Sequence, residues 1–278
     1  MKDFTIEKDE ITSDGLPLKL MIVRPVKNAK PKEQTPLVLW IHGGGYSMGF
    51  PEMMFFNRGI SMVTKFGAIV VSPYYRLSKK HPYPAGLNDC YETLKYIKKN
   101  AQVLGGNDKQ IVVAGESAGG GLAVAVCLLA RERKDVEIAF HLPIYPMIDC
   151  FDTESSKNNT APVWNTKKNH RAWKLYLANV DGDVPSLASP AQEQDLSNMP
   201  PAYTFVGGND PFLCETIAYV EKLKNANVWA KVDVWEKQFH GFDMILPFSK
   251  TSKQAICSFE QNVKFAFENF FAPQTKEN

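Results

Sequence analysis

The run Ile111-Val-Val-Ala-Gly115-Glu116-Ser117-Ala118-Gly119-Gly120-Gly121-Leu122-Ala123 decides the fold. Four apolar residues without alternation read as a strand covered on both faces, and Ala118 to Arg133 reads as a helix whose apolar stretch implies deep burial. Between them stands Gly-x-Ser-x-Gly. A hydroxyl at the tip of a sharp strand-to-helix turn is lifted above the sheet, where the unpaired N–H groups of a helix N-terminus favour developing negative charge. Gly115 and Gly119 let the neighbouring backbone pass close to the turn with no Cβ in the way. In a chain with 18 glycines the pattern alone is a weak signal. The strand before it and the helix after it give it weight.

A second element has the same grammar. Leu37 to Ile41 runs directly into His42-Gly43-Gly44-Gly45-Tyr46. Three consecutive glycines stabilise little by packing, but they permit a backbone whose N–H groups face a ligand rather than a ladder. No Gly-Lys-Ser/Thr follows, which excludes a phosphate loop. Short apolar runs recur at Ala68 to Val71, Phe140 to Tyr145, Tyr203 to Val206 and Val232 to Trp235. They alternate with helical patterns at Asp89 to Asn100, Leu213 to Leu223 and Ile256 to Phe270. Ahead of them, Phe4 to Ile22 reads as a β-hairpin turning at Asp14-Gly15. The alternation predicts an α/β fold, a mostly parallel central sheet flanked by helices with right-handed crossovers.

One segment breaks the rhythm. Phe151 to Ser189 is polar, yet carries Trp164, Trp173, Tyr176 and Leu177, with helical character only over Lys167 to Asn179. At ~40 residues it buries too little surface to fold alone. Residues 1–278 are therefore expected to form one domain, with 151–189 an excursion over the sheet edge. That excursion is either a surface loop anchored by aromatics or a lid over a pocket.

The balance of 32 Lys+Arg against 30 Asp+Glu leaves a net charge of +2, which argues against nucleic-acid and anionic-membrane partners. No apolar run approaches the ~18–20 residues of a membrane helix. The charged N-terminus is unlike a signal peptide, so a cytoplasmic location is expected. Five cysteines, far apart and without Cys-x-x-Cys spacing, argue against a disulfide scaffold and a zinc ribbon.

A serine becomes a useful nucleophile when a base takes its proton, and the base needs a partner to orient it. Of the five histidines, His42 reads as a loop organiser, His81 lies in a turn, His141 at a buried strand and His170 in the excursion. His240, in Gln238-Phe239-His240-Gly241-Phe242, lies just past the last strand, where a loop swings an imidazole over the sheet edge. Asp210 ends the preceding strand in the same way. Asp233 is mid-strand, Asp243 is too close to His240 in sequence, and Glu215 lies inside the next helix. Ser117…Asp210…His240 is the order of the α/β-hydrolases.

From about Leu37 to Gly241 the sequence resembles the hormone-sensitive-lipase branch of the α/β-hydrolases, carboxylesterases and lipases with an HGGG loop. The residues that carry the resemblance are His42-Gly43-Gly44-Gly45, Tyr75-Arg76-Leu77 with His81-Pro-Tyr-Pro-Ala85, and Gly115-Glu-Ser-Ala-Gly-Gly120. Ser189-Pro190, Met199-Pro-Pro201, Asp210-Pro211 with Glu215, and His240-Gly241-Phe242 complete them. The resemblance implies Ser117 as nucleophile, His240 as base and Asp210 as its partner. It also implies an oxyanion hole built from the N–H groups of Gly44, Gly45 and Ala118. It implies hydrolysis of a small-molecule ester without metal or cofactor. Family members often pair through the sheet edge, so a homodimer is a further candidate that the residues themselves do not show.

The chain departs from the family at Glu116, where Asp is commoner, and at Gly121, where Asn is usual. Tyr74 precedes the Tyr-Arg-Leu motif and Ser78-Lys79-Lys80 follow it, and with a hairpin from Phe4 the family's helical N-terminal cap is not expected. Met48, Phe50, Met53, Met54, Phe55 and Phe56 are candidates for an acyl pocket or for ordinary packing. Short acyl esters are expected, because no long apolar segment suggests a lipid-interface lid. Two rival readings remain: an amidase, formamidase or peptidase with the same triad, and a ligand-binding receptor on an inactive hydrolase scaffold. Retention of Ser117, Asp210 and His240 together argues against the receptor.

Overall fold

The computed structural model describes residues 3–274. The chain opens with β1 (Phe4–Ser13) and β2 (Leu16–Pro25), a hairpin in full register from Phe4 opposite Pro25 to Ser13 opposite Leu16. Its turn is Asp14-Gly15, both with positive φ, as a two-residue turn matched to strand twist requires. Then follow β3 (Leu37–Ile41), α1 (Gly59–Thr64), β4 (Ile69–Pro73), α2 (Ala85–Leu104), β5 (Ile111–Glu116), α3 (Ala118–Arg133) and β6 (Phe140–Ile144). The second half holds α4 (Thr166–Tyr176), β7 (Ala202–Gly207), α5 (Leu213–Asn225), β8 (Ala230–Trp235), α6 (Phe242–Ile245) and α7 (Lys250–Asn269).

The eight strands form one sheet in the order β1-β2-β4-β3-β5-β6-β7-β8. The hairpin is antiparallel to β4, and every pairing from β4 to β8 is parallel. From β3 the chain steps outward to β4 and then returns to the other side of β3 as β5. That reversal opens a crevice beyond the carboxyl ends of β3 and β5, the place where open α/β sheets bind ligands. Both glycine-rich turns begin there, since β3 and β5 pair in register from Leu37 with Ile111 to Ile41 with Gly115.

Two hydrophobic layers clad the sheet. One packs α2, α3 and α5 against one face; the other packs α1 and α7 against the opposite face. Helix α3 is buried all round from Ala118 to Ala130, so its sequence carries no amphipathic stripe. Pro143 leaves β6 short of one donor, and β6 meets β7 in register only at His141 and Ala202. Several motif residues turn out to hold this frame together. Arg76 pairs with buried Asp89 (2.7 Å) and with Asp14 (2.6 Å), fastening the hairpin turn to α2. Buried Glu215 accepts the N–H groups of Ile148 and Asp149 (2.7 and 3.1 Å), and Ser189 accepts that of Cys150 (3.0 Å).

The excursion is largely irregular, with α4 its one helix. Asn165 caps α4 by accepting the Lys168 N–H (3.2 Å). Trp173 and Tyr176 on α4 pack on Tyr46 beside the glycine loop, the two tyrosines stacked with centroids 4.0 Å apart. Tyr46 in turn donates its hydroxyl to the Met147 carbonyl (2.6 Å).

Candidate active site

Ser117 sits at φ 56° and ψ −122°, between β5 and α3. An L-residue with a side chain is strained there. The strain is held by bonds on both sides: the Ser117 N–H donates to Ile144 O, and its carbonyl accepts from Gly121 and Met147 (all 3.0 Å). A methyl group at Gly119 would run into the carbonyls of Ile41 and His42, so the elbow and the glycine loop approach each other as closely as backbones can.

His240 Nε2 lies 2.9 Å from Ser117 Oγ, and His240 Nδ1 lies 2.8 Å from Asp210 Oδ2. The other Asp210 oxygen, Oδ1, accepts the Phe212 N–H at 2.9 Å. Asp210 is fully buried, so both oxygens need such partners. Ser117 is 7% exposed and His240 5%, which leaves a narrow opening to the alcohol and the imidazole. The Tyr145 ring meets His240 edge-on with centroids 4.9 Å apart, and Phe212 does the same at 5.0 Å. The imidazole is thus fixed in plane by two rings as well as by its hydrogen bonds.

Ala118 follows Ser117 in the chain, and Gly44 and Gly45 follow Gly43, which lies against Ser117. Among the described residues, none of their N–H groups donates to a backbone acceptor in the turns and loops.

A family model described as alpha/beta hydrolase fold matches residues 38–244. The chain belongs to the α/β-hydrolase family. It is 32% identical over 250 residues to the carboxylesterase NlhH of Mycobacterium tuberculosis, covering 87% of this chain and 76% of that one. It is 27% identical to an arylesterase of Saccharolobus solfataricus over 79% of this chain and 71% of that one. Among solved structures, a bacterial heroin esterase superposes with a TM-score of 0.89 at 30% identity, covering 95% of this chain and 85% of that one. The esterase LipW of Mycobacterium marinum gives 0.83 at 28% identity, over 95% and 82%.

The other histidines of this α/β-hydrolase are placed elsewhere. His42 is buried, stacks on Tyr75 (centroids 4.2 Å apart) and bonds through Nδ1 to Gly43 O (2.7 Å). Burial pushes it down to about 4, so it is neutral scaffolding for the glycine loop. His141, pushed down to about 4 by the same cause, bonds to Tyr219 and Pro201, and His170 pairs with Asp152. Asp233 is held by Tyr203 and Ser258.

The candidate acyl-pocket cluster does not act as a group. Met54 is core under α1, and Phe55 stacks on Phe4. Met48, Phe50 and Phe56 are exposed. The aromatics around His240 escaped the sequence reading. Phe212 follows Asp210 by two residues and Tyr145 comes directly after β6, but periodicity cannot say which ring faces an imidazole.

Glu116, the departure from the family's usual Asp, lies buried beside Ser117. Its Oε1 accepts from Asn57 Nδ2, and its Oε2 has no partner among the described residues. Asp243 is buried nearby, with Arg58 Nε 3.3 Å from its Oδ2. One guanidinium faces two buried carboxyls, so one proton stays with the pair at neutral pH. Burial pushes Glu116 up to about 8, with the Asp243 charge adding to it. The folded state then holds a proton that the unfolded chain releases above about 4.5. The contribution of this proton is complete below that pH and is lost as pH rises through about 8. The thermal midpoint of the wild type should fall across this window, and Glu116→Gln, which keeps the shape without the titration, should flatten the fall. Identical slopes for the two proteins would discard the assignment.

Proposed function

We propose that this α/β-hydrolase is a serine carboxylesterase acting on short-chain acyl esters, with Ser117 as nucleophile, His240 as base and Asp210 as the acid that orients it. The observation that carries the reading is the unbroken line from Ser117 Oγ through the imidazole to Asp210, at 2.9 and 2.8 Å. The carboxylesterases and esterases among its relatives and structural neighbours support it.

In the proposed cycle, Ser117 Oγ attacks the ester carbonyl while its proton passes to His240 Nε2. The oxyanion is held by the N–H groups of Gly44, Gly45 and Ala118, each such donor worth ~10²–10³ in rate. Collapse of the tetrahedral intermediate expels the alcohol, which takes the Nε2 proton and leaves the acyl group on Oγ. A water then gives its proton to His240 and attacks the acyl-enzyme, which releases the acid and restores Ser117. The imidazolium that forms twice per cycle faces Asp210 each time.

Ester and amide share this pathway and differ in the leaving group. The wild-type enzyme is expected to hydrolyse p-nitrophenyl acetate at least ~10²-fold faster than p-nitroacetanilide, with p-nitrophenyl esters declining from butyrate to palmitate. Equal turnover of the anilide would make the chain an amidase. Rates that climb toward palmitate would reverse the chain-length reading.

A further inference from the structure

Trp164 belongs to the irregular stretch before α4, and nothing in the catalytic cycle requires it. Its position is nevertheless tightly specified. The outer edge of its indole lies against the α-carbon of Gly45, so that a methyl group there would overlap the ring. Ala172 of α4 closes on the same point. The indole centroid is 6.3 Å from the His240 ring and 6.4 Å from Phe212. Trp164 therefore touches the loop of the proposed oxyanion donors on one side and faces the base on the other.

Three observations say that the ring is set there rather than resting there. Its Nε1 donates to Oδ1 of Asn169 (3.3 Å), a buried residue on the first turns of α4. The residue before it, Val163, adopts φ 68°, a left-handed conformation that a β-branched side chain resists. That strained turn is fastened by Lys168 Nζ on Val163 O (2.7 Å) and by the Trp164 N–H on Pro162 O (2.8 Å). Strain of this kind persists where the surroundings over-determine it, and it collects at working sites. Behind α4, the Tyr46–Tyr176 stack ties the whole unit to the end of the glycine loop.

We infer that Trp164 is the residue that limits the acyl group, its indole filling the space over Gly45 and beside His240 that a longer chain would need. The inference rests on the serine-esterase reading and deepens it by naming what makes the substrate short. A rigid ring held by a buried partner excludes extra methylenes sterically, and each methylene gained or lost in an apolar pocket changes kcat/KM by about tenfold or more. Trp164→Ala should open the space, and Trp164→Phe should open it in part.

The test is kcat/KM for p-nitrophenyl acetate and p-nitrophenyl octanoate in the wild type, Trp164→Ala, Trp164→Phe and Ser117→Ala. Fluorophosphonate labelling of Ser117 reports an intact site in all but the last. The octanoate-to-acetate ratio is expected to rise by about tenfold or more in Trp164→Ala and by about threefold in Trp164→Phe. If Trp164→Ala does not fold, the ratio in Trp164→Phe decides. An unchanged ratio in a folded variant that still labels at Ser117 overturns the role of Trp164 and leaves the esterase reading standing. Acetate hydrolysis as fast in Ser117→Ala as in the wild type overturns both.

Discussion

Ser117→Ala is expected to lose between 10⁴ and 10⁶ in kcat on p-nitrophenyl acetate, about 5–8 kcal/mol of transition-state stabilisation, while keeping its fold. The loss is that large because the members of such a triad act as a unit. Without Oγ there is no atom to attack, and the imidazole 2.9 Å away has no proton to take. What remains is binding and the amides around Gly44, Gly45 and Ala118. The fold survives because the side chain does little for it. The bonds that hold the elbow run through the Ser117 backbone, to Ile144, Gly121 and Met147, and alanine keeps all of them. Alanine also suffers the same strain at φ 56°, so replacement neither relieves nor adds to it. Steady-state kinetics beside a thermal melt separate the two effects. Hydrolysis within tenfold of wild type, with an unshifted melt, would mean that another group carries the chemistry.

The turn that carries Ser117 was legible in the sequence because a local pattern and a global one agree at it. Gly115 and Gly119 are needed for backbone approach, Ile111 to Ala114 must be a buried strand, and α3 must be a buried helix; each is written in consecutive residues. Asp210 and His240 were readable for a different reason. In a parallel sheet every strand delivers its next loop to the same edge, so the residues after β7 and β8 arrive where Ser117 stands. The Asp14-Gly15 hairpin was legible because its turn chemistry is local. What the sequence hid depends on contacts between distant segments. Trp164 and Tyr145 reach the imidazole from separate loops, and neither is announced by its neighbours. Helix α1 was passed over because six residues beginning with glycine carry little helical signal. The apolar run from Met48 to Phe56 was left open between pocket and packing because one stretch supplies Met54 to the core and Phe56 to the surface, and composition cannot divide them.

Asp210→Asn should lower kcat by about 10⁴ with little change in KM, although it removes no atom that touches the substrate. The argument is about which nitrogen of His240 carries the proton. In the native site Asp210 only accepts: Oδ2 from His240 Nδ1 and Oδ1 from the Phe212 N–H. The proton is thereby kept on Nδ1, and Nε2 presents a lone pair to Ser117. A carboxamide has one acceptor and one donor end. The Phe212 N–H is fixed by the chain, so the amide oxygen turns to it, since two donors facing each other in a buried pocket would cost about 1–3 kcal/mol. The NH₂ group then faces the imidazole and donates to Nδ1, which moves the ring proton to Nε2. A protonated Nε2 hydrogen-bonds to Ser117 but cannot accept its proton. Geometry is preserved while the base is inverted, so kcat falls and substrate binding does not. Kinetics of the variant on p-nitrophenyl acetate read this directly: a variant with more than a tenth of wild-type kcat would show that Asp210 does not set the tautomer. A KM that rose with the fall in kcat would instead point to a site distorted by the substitution.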